Sequence, residues 1–218
     1  MLISILTLFP EVFAPIFNSS ILKRAKSKNK LEIRLINIRD FAVDRHKSVD
    51  DKPFGGGVGM LLKIDILYRA LKSAIIKNKT KNFKQNIILL DPAGSIFNQK
   101  KARLLANFDH LILISGHYEG FDYRINNFID EKISIGRYIL TGGEIPAMVI
   151  VDSVTRLLPG VLEKPDSYLN ESFSHGLNLE LPQYTRPRGF MGYKVPKELL
   201  SGDPKIIAGW KKTISSKK

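Results

Sequence analysis

The sequence predicts an α/β fold built on a mainly parallel sheet, with a small helical C-terminal domain. Two observations predict it. Short runs that are apolar throughout are separated by amphipathic stretches, the pattern of strands buried on both faces under helices. Three glycine-bearing turns also stand at successive strand ends, and in an open parallel sheet such turns share one crevice.

The elements follow in order. Ile3–Phe9, Glu32–Ile38, Asn86–Leu90 and Leu111–Ser115 read as strands, rich in Ile and Leu and ending at Pro, Asp or Gly. Pro10–Ala25, Ile64–Ile76, Gln99–Ala106 and Glu144–Leu158 read as helices. Near Pro159 the composition changes. From Gly160 to Pro187 the chain carries Pro, Ser, Asn and Gly with weak periodicity, which predicts a linker or loop. Val195–Ser201 and Asp203–Trp210 read as two small helices before a basic end that includes Lys211, Lys212, Lys217 and Lys218. The expected division is a main domain over 1–160, a linker over 161–178 and a short C-terminal domain over 179–218.

Composition narrows the function. Lys and Arg number 34 against 21 Asp and Glu, a formal charge of +13. That excess implies a polyanionic partner, with nucleic acid the first candidate. No cysteine is present, which excludes disulfides, thiolate nucleophiles and Cys-based metal sites and fits a reducing cytoplasm. Met1 to Pro10 is apolar but lacks a basic leader and meets Glu11 at once, so it reads as a first strand and not a signal peptide. No apolar run reaches the length needed to cross a bilayer.

Four glycine-bearing segments are candidates for chemistry. Asp50 to Met60 contains Gly55-Gly56-Gly57 and Gly59, which permit positive φ and close backbone approach; no Gly-Lys-Ser/Thr follows, so it is not a P-loop. Asp91-Pro92-Ala93-Gly94 and Ser115-Gly116-His117-Tyr118-Glu119-Gly120 each follow a strand directly. Ser134-Ile135-Gly136-Arg137-Tyr138-Ile139-Leu140-Thr141-Gly142-Gly143-Glu144 opens a helix. None matches Gly-x-Gly-x-x-Gly, so an ordinary dinucleotide site is not indicated. Backbone groups of three loops suit a compact, folded-over cofactor. Asp44, Arg45, His46, Asp50, Glu119, Arg156, Glu171, His175, Arg186 and Arg188 are the ionisable residues near these segments. No His or carboxylate cluster has transition-metal spacing.

Together these segments resemble the bacterial tRNA (guanine-N1)-methyltransferase family. The matching pieces are Leu8-Phe9-Pro10-Glu11-Val12-Phe13, Arg39-Asp40-Phe41 with Asp44-Arg45-His46, and Val49 through Gly57. Gly116 to Gly120, Ser134-Ile135-Gly136, Gly142 to Ala147, Asp152 to Arg156 and Pro182 to Pro187 continue the match in order. The resemblance implies a SPOUT methyltransferase fold, an α/β domain with a deep trefoil knot. No periodicity reaches that feature, since threading is rare among folds. It also implies S-adenosylmethionine as methyl donor, magnesium dependence, tRNA as substrate, a homodimer with active sites shared between subunits, and methylation of N1 of the guanosine immediately 3′ of the anticodon.

Carried over by motif, the cofactor-binding residues are Leu89, Leu90 and Pro92; Gly116, Tyr118, Glu119 and Gly120; and Ser134, Ile135, Gly136, Arg137, Tyr138, Ile139, Leu140, Gly142, Gly143 and Pro146. Substrate-binding positions are His46, Asp50, Gly55, Gly59 and Arg186. Arg156 matches the catalytic arginine, and Glu171 of Glu171-Ser172-Phe173 stands where the family has its general-base Asp. Asp166-Ser167-Tyr168 is a nearby imitation, but the register to Pro182 favours Glu171. Glu and Asp have similar reference pKa values, yet a misplacement of about 1 Å can cost on the order of a hundredfold in rate. Val58 replaces a common proline, Arg137 stands where an acidic residue is usual, and the C-terminal domain is shorter than in most members. Two other readings stay open: a related knotted methyltransferase acting on a ribose 2′-oxygen or another base, and a non-catalytic RNA-binding protein.

Overall fold

The structure is a computed structural model and describes residues 1–77, 80–163, 171–173 and 179–215. The chain forms two compact units, Met1–Pro165 and Asp166–Lys218.

The first unit runs β1 (Leu2–Thr7), a 3-10 helix (Pro10–Phe13), α1 (Ala14–Phe17), α2 (Ser20–Ser27), β2 (Glu32–Asn37), a 3-10 helix (Ile38–Phe41), β3 (Asp50–Asp51) and β4 (Leu61–Leu62). It continues with α3 (Ile64–Ala74), β5 (Gln85–Ile96), α4 (Gln99–Leu105), β6 (His110–Ser115), a 3-10 helix (Tyr123–Phe128), β7 (Glu131–Ser134) and α5 (Glu144–Thr155). Five strands form one sheet in the order β2-β1-β6-β5-β7, and every pairing in it is parallel.

Strand periodicity explains the two cores. Alternate side chains point to opposite faces. Ile3 and Ile5 of β1, Leu111 and Leu113 of β6, and Ile88 and Leu90 of β5 meet Phe13, Phe17 and Leu22 and the inner face of α5. The intervening Leu6, Ile112, Ile114 and Leu89 meet Ile66, Leu67, Ala70 and Leu71 of α3. Both faces are covered, which is why β1 and β6 are buried at every residue.

The structure departs from the sequence expectations at definite places. The stretch read as one helix over Pro10–Ala25 is three pieces. Ser20 has φ 42°, and the Ser19 hydroxyl donates to the Ile16 carbonyl at 2.8 Å, a local bond that competes with helix propagation. β5 runs on past Leu90 to Ile96, with a register shift against β7 between Leu90 and Ser95. Pro92 is tolerated there because the ladder to β6 has ended at Leu90. Gly94 is required in this extension, since a Cβ would collide with the backbone of Lys132 and Ile133. β7 was not read as a strand; four residues with two charges carry too weak a pattern.

The second unit contains an antiparallel hairpin, β8 (Gly189–Phe190) and β9 (Tyr193–Lys194), then α6 (Lys197–Leu200) and α7 (Pro204–Ser215). The hairpin was also unread. Among the described residues no helix is long and apolar enough to cross a membrane. Asp166, Ser167, Tyr168, His175, Lys217 and Lys218, singled out in the sequence, lie outside the described residues.

At the amino end of the sheet His110 is fully buried. One ring nitrogen, Nδ1, meets the Gln85 Oε1 at 2.9 Å, and Nε2 meets the Ser4 hydroxyl at 2.8 Å. The Gln85 oxygen can only accept, so Nδ1 carries the proton and Nε2 accepts from Ser4. Burial, with the Arg34 charge nearby, pushes the pKa of His110 down to about 4 from 6.5. The unfolded chain therefore takes up this proton first as pH falls. The stability of the neutral ring is complete above about 6.5 and declines from there toward and below 4. The urea unfolding midpoint is expected to fall between about pH 7 and about pH 4.5, and His110→Gln is expected to remove most of that slope. An unchanged slope in the variant would contradict the assignment.

Candidate functional site

The cavity beside the middle of β5 and the carboxyl ends of β6 and β7 measures about 350 Å³, within the range of small-molecule sites. Three chain segments wall it. The first is the middle of β5, Leu89 to Pro92, where its ladder to β6 ends; the second follows β6, from Gly116 to Asn126; the third runs from the end of β7, Ser134, to Gly143, with Pro146 of α5.

Each segment has a local reason for its path. After β6 the chain turns sharply through Tyr118 at φ 63° and Gly120 at φ 115°. The neighbouring strand β4 supports this turn: the Glu119 amide donates to the Met60 carbonyl at 3.1 Å and the Leu62 amide to the Gly120 carbonyl at 3.0 Å. Gly59 has φ 91°, and a Cβ there would strike the Glu119 side chain. The Asp50–Met60 segment is thus anchored at its base by the β3–β4 pairing, while Gly55 and Gly56 at its tip face open space. In the third segment the Ser134 hydroxyl donates to the Gly136 carbonyl at 2.8 Å, and the Tyr138 ring lies against Gly136 with no room for a Cβ.

The second and third segments touch through backbone. The Gly143 amide donates to the Gly116 carbonyl at 2.8 Å, and the Ser115 hydroxyl donates to the Gly143 carbonyl at 3.2 Å. Cβ atoms at Gly116, Gly142 and Gly143 would each overlap neighbouring atoms. The glycines here are demanded by close approach and not by flexibility.

The wall is mixed in character. Leu89, Leu90, Ile133 and Leu140 supply apolar surface, and Asp91, His117, Asp122 and Lys132 supply polar groups. The Lys132 ammonium pairs with Asp91 at 3.2 Å. The guanidinium of Arg124, bonded to Asp122 at 2.6 Å, holds that carboxyl below the usual carboxylate range. Asn126 leaves its buried Oδ1 without a hydrogen-bond partner among the described residues. Such a site suits a ligand with polar edges and an apolar body.

Of the cofactor-binding positions expected from the sequence, all line the cavity except Arg137, which is exposed on the third segment. His46, Asp50, Gly55 and Gly59 do not line it; of these, Gly59 lies against the Glu119 side chain. Arg156 caps the C-terminus of α5 and is half-buried. Glu171 and Arg186 belong to the second unit; Glu171 is half-buried and Arg186 is exposed. Asp91 and His117 line the cavity within the expected loops, whereas Asp122, Tyr123, Asn126 and Lys132 line it from outside them and carry no motif in the sequence. One available pointer was Asp122, whose carboxylate accepts from the Arg124 amide as an N-cap and turns the 123–128 helix into the wall.

Gly143→Ala is expected to lower stability by about 1–3 kcal/mol through overpacking against Ser115 and Gly116. Gly209→Ala, where nothing lies within 4 Å, is expected to be neutral or stabilising. Urea unfolding of both variants checks the contrast.

Comparison with known proteins shows the family. The family described as tRNA (guanine-1)-methyltransferase TrmD matches residues 1–218. A tRNA (guanine-N(1)-)-methyltransferase of Dictyoglomus turgidum is 51% identical over 216 residues, covering 99% of this chain and 85% of that protein. The one from Carboxydothermus hydrogenoformans is 55% identical over 216 residues, with 99% and 83% covered. The one from Geobacillus kaustophilus is 52% identical over 216 residues, with 99% and 86% covered. A full-length family match, with relatives near half identity and a cavity built from the family's own glycine motifs, leads to one conclusion: the chain belongs to the tRNA (guanine-1)-methyltransferase family.

Proposed function

We propose that the protein transfers a methyl group from S-adenosylmethionine to N1 of the guanosine immediately 3′ of the anticodon in tRNA. The observation that carries this reading is the cavity: sixteen of the seventeen positions carried over from the family as cofactor contacts line it. Its chemistry fits the donor. Glycines leave room where a Cβ would intrude, backbone groups of the third segment are available to an adenine edge, and Asn126 offers an unpaired acceptor. The bound donor supplies an electrophilic methyl group on a sulfonium centre.

The residues of the chain do the rest. The Glu171 carboxylate accepts the guanine N1 proton, the nitrogen pair forms the bond to the methyl carbon, and the carbon–sulfur pair leaves with sulfur. Arg156 holds the negative charge that grows on O6. These two residues lie in different units, and the reading brings them together through a homodimer whose active sites are shared between subunits. The exposed Ile145 and Val149 on α5 support such an interface, since large apolar side chains on one helix face favour association. The deep trefoil knot belongs to this reading through the family resemblance.

The tRNA is held by phosphate contacts from Lys and Arg, with the target base leaving its stack. The hairpin of the second unit supports a role for residues 179–218: Phe190 and Tyr193 are exposed beside Arg186, Arg188 and Lys194, the mixture that stacks on bases and pairs with phosphates. His46, Asp50, Gly55 and Gly59 are placed by the same reading on the substrate side, with Arg186. Among the described residues no three His, Asp or Glu side chains group to hold a metal, so magnesium is assigned no residue here and no step runs through it. The reading places the enzyme in the cytoplasm with its tRNA substrate.

Two tests follow. Unmodified tRNA transcripts with G 3′ of the anticodon should accept methyl groups and yield N1-methylguanosine on digestion and mass analysis. Transcripts with another base there should not, and a ribose-methylated product would replace the proposal with a 2′-oxygen methyltransferase. Glu171→Gln should bind S-adenosylmethionine as the parent does and lose turnover by on the order of a hundredfold to ten-thousandfold. Normal turnover would remove Glu171 as the base and direct the next substitution to Asp166.

A further inference from the structure

A buried polar cluster beside the cavity takes no part in the chemistry above. Glu144, the first residue of α5, is only 7% exposed. One oxygen, Oε1, accepts the hydroxyl proton of Thr7, which is fully buried at the end of β1, at 2.6 Å. The other, Oε2, lies 2.8 Å from Nε2 of His117 in the cavity wall. Thr7 in turn accepts from the Phe9 amide at 3.0 Å, and the Phe9 ring packs edge-on against His117 at 4.7 Å between centroids.

A carboxylate buried this deeply is costly unless it is fully bonded. A helix start alone does not need one in the core. What a carboxylate does here is fix direction. It can only accept, so Thr7 and His117 must both donate to it. His117 therefore carries a proton on Nε2, and in the neutral form of the ring Nδ1 is left as the acceptor. The same carboxylate also sets a spacing. A Cβ at Gly142 would collide with His117 Nε2 and Glu144 Oε2, so the turn that closes the third segment packs directly on this contact. Three chain crossings, the end of β1, the segment after β6 and the turn before α5, meet at one side chain.

We propose that Glu144 is a positioning residue of the cofactor cavity: with Thr7 it clamps His117 and the segment after β6 against the Gly142–Gly143 turn, and it holds His117 in its Nε2–H form. The proposal rests on the reading of the cavity as the S-adenosylmethionine site. The test pairs calorimetric titration of S-adenosylmethionine with ring-nitrogen NMR of the histidines at mildly alkaline pH, His117 being identified by its loss in His117→Gln. The wild-type ring is expected in the Nε2–H form. Glu144→Ala is expected to raise the Kd for S-adenosylmethionine about tenfold or more, with a full complement of binding sites and unchanged tRNA retention in a gel shift. It should also release His117 into a mixture of tautomers. A residue that only stabilised the fold would lower the number of competent sites and leave the Kd per site as it was. Should Glu144→Ala fail to fold, Glu144→Gln decides, because the amide can donate to His117 and draw the ring toward the Nδ1–H form, with a raised Kd.

Wild-type binding together with an unchanged Kd in the folded variant overturns this proposal alone. So does a wild-type ring protonated on Nδ1 only. Wild-type protein that takes up no S-adenosylmethionine overturns the cofactor reading, and this proposal with it.

Discussion

The structure of the site depends on one close approach, that of the Gly142–Gly143 turn to the chain leaving β6. The backbone bond from Gly143 to Gly116 needs Gly143 free of a side chain, because a Cβ there would overlap the backbone of Ser115 and Gly116, while one at Gly116 would displace the Phe121 ring. Two strand-end segments are thereby brought within hydrogen-bond distance at backbone level. The cavity is the space left between them and the middle of β5. Glycine here is a matter of van der Waals volume. At the tip of the Asp50–Met60 segment it serves a different end, since Gly55 and Gly56 have positive φ and no neighbours.

Polar groups inside the sheet are placed at its two ends and do different things. At the amino end, Ser4, His110 and Gln85 tie β1, β6 and β5 together with a neutral ring. At the carboxyl end, Thr7 ties β1 to Glu144 and so to the cavity wall. Between them the strands are apolar and identical in character, so hydrophobicity alone would tolerate a slip along the strand. A slip by one residue would reverse every face and strand each of these polar groups without its partner.

Much of this was legible in the sequence. The continuous apolar runs revealed β1, β6 and the first half of β5, because burial on two faces leaves an unmistakable run; α3 showed as a long periodic segment and α5 as a long, largely apolar one. Glycine motifs at strand ends pointed to the crevice. Other parts carried no such trace. Glu131–Ser134 is short and half charged, yet it is a sheet strand because β5 offers it a backbone ladder. Lys132 and Asp91 look like solvated charges in the sequence and pair in the wall only because that ladder sets them side by side. His117 stood in a motif recognised as important, but its partner Glu144 is 27 residues away, and no local spacing links them. The expectation of a knot, and that of Glu171 acting together with Arg156, rest on the family resemblance alone.

The bond between Thr7 and Glu144 spans 137 residues of chain. Local helices and turns can form early, but this junction closes only after the segment through α5 has been made and has found β1. Non-local closures of this kind are slow steps in folding. The wall around His117 and Glu144 is therefore complete only once α5 has packed against the end of β1. A small molecule that binds the finished cavity selects for chains in which that closure has occurred, so the methyl donor's concentration in the cell would bear on how much of the newly made protein survives as well as on how fast it works.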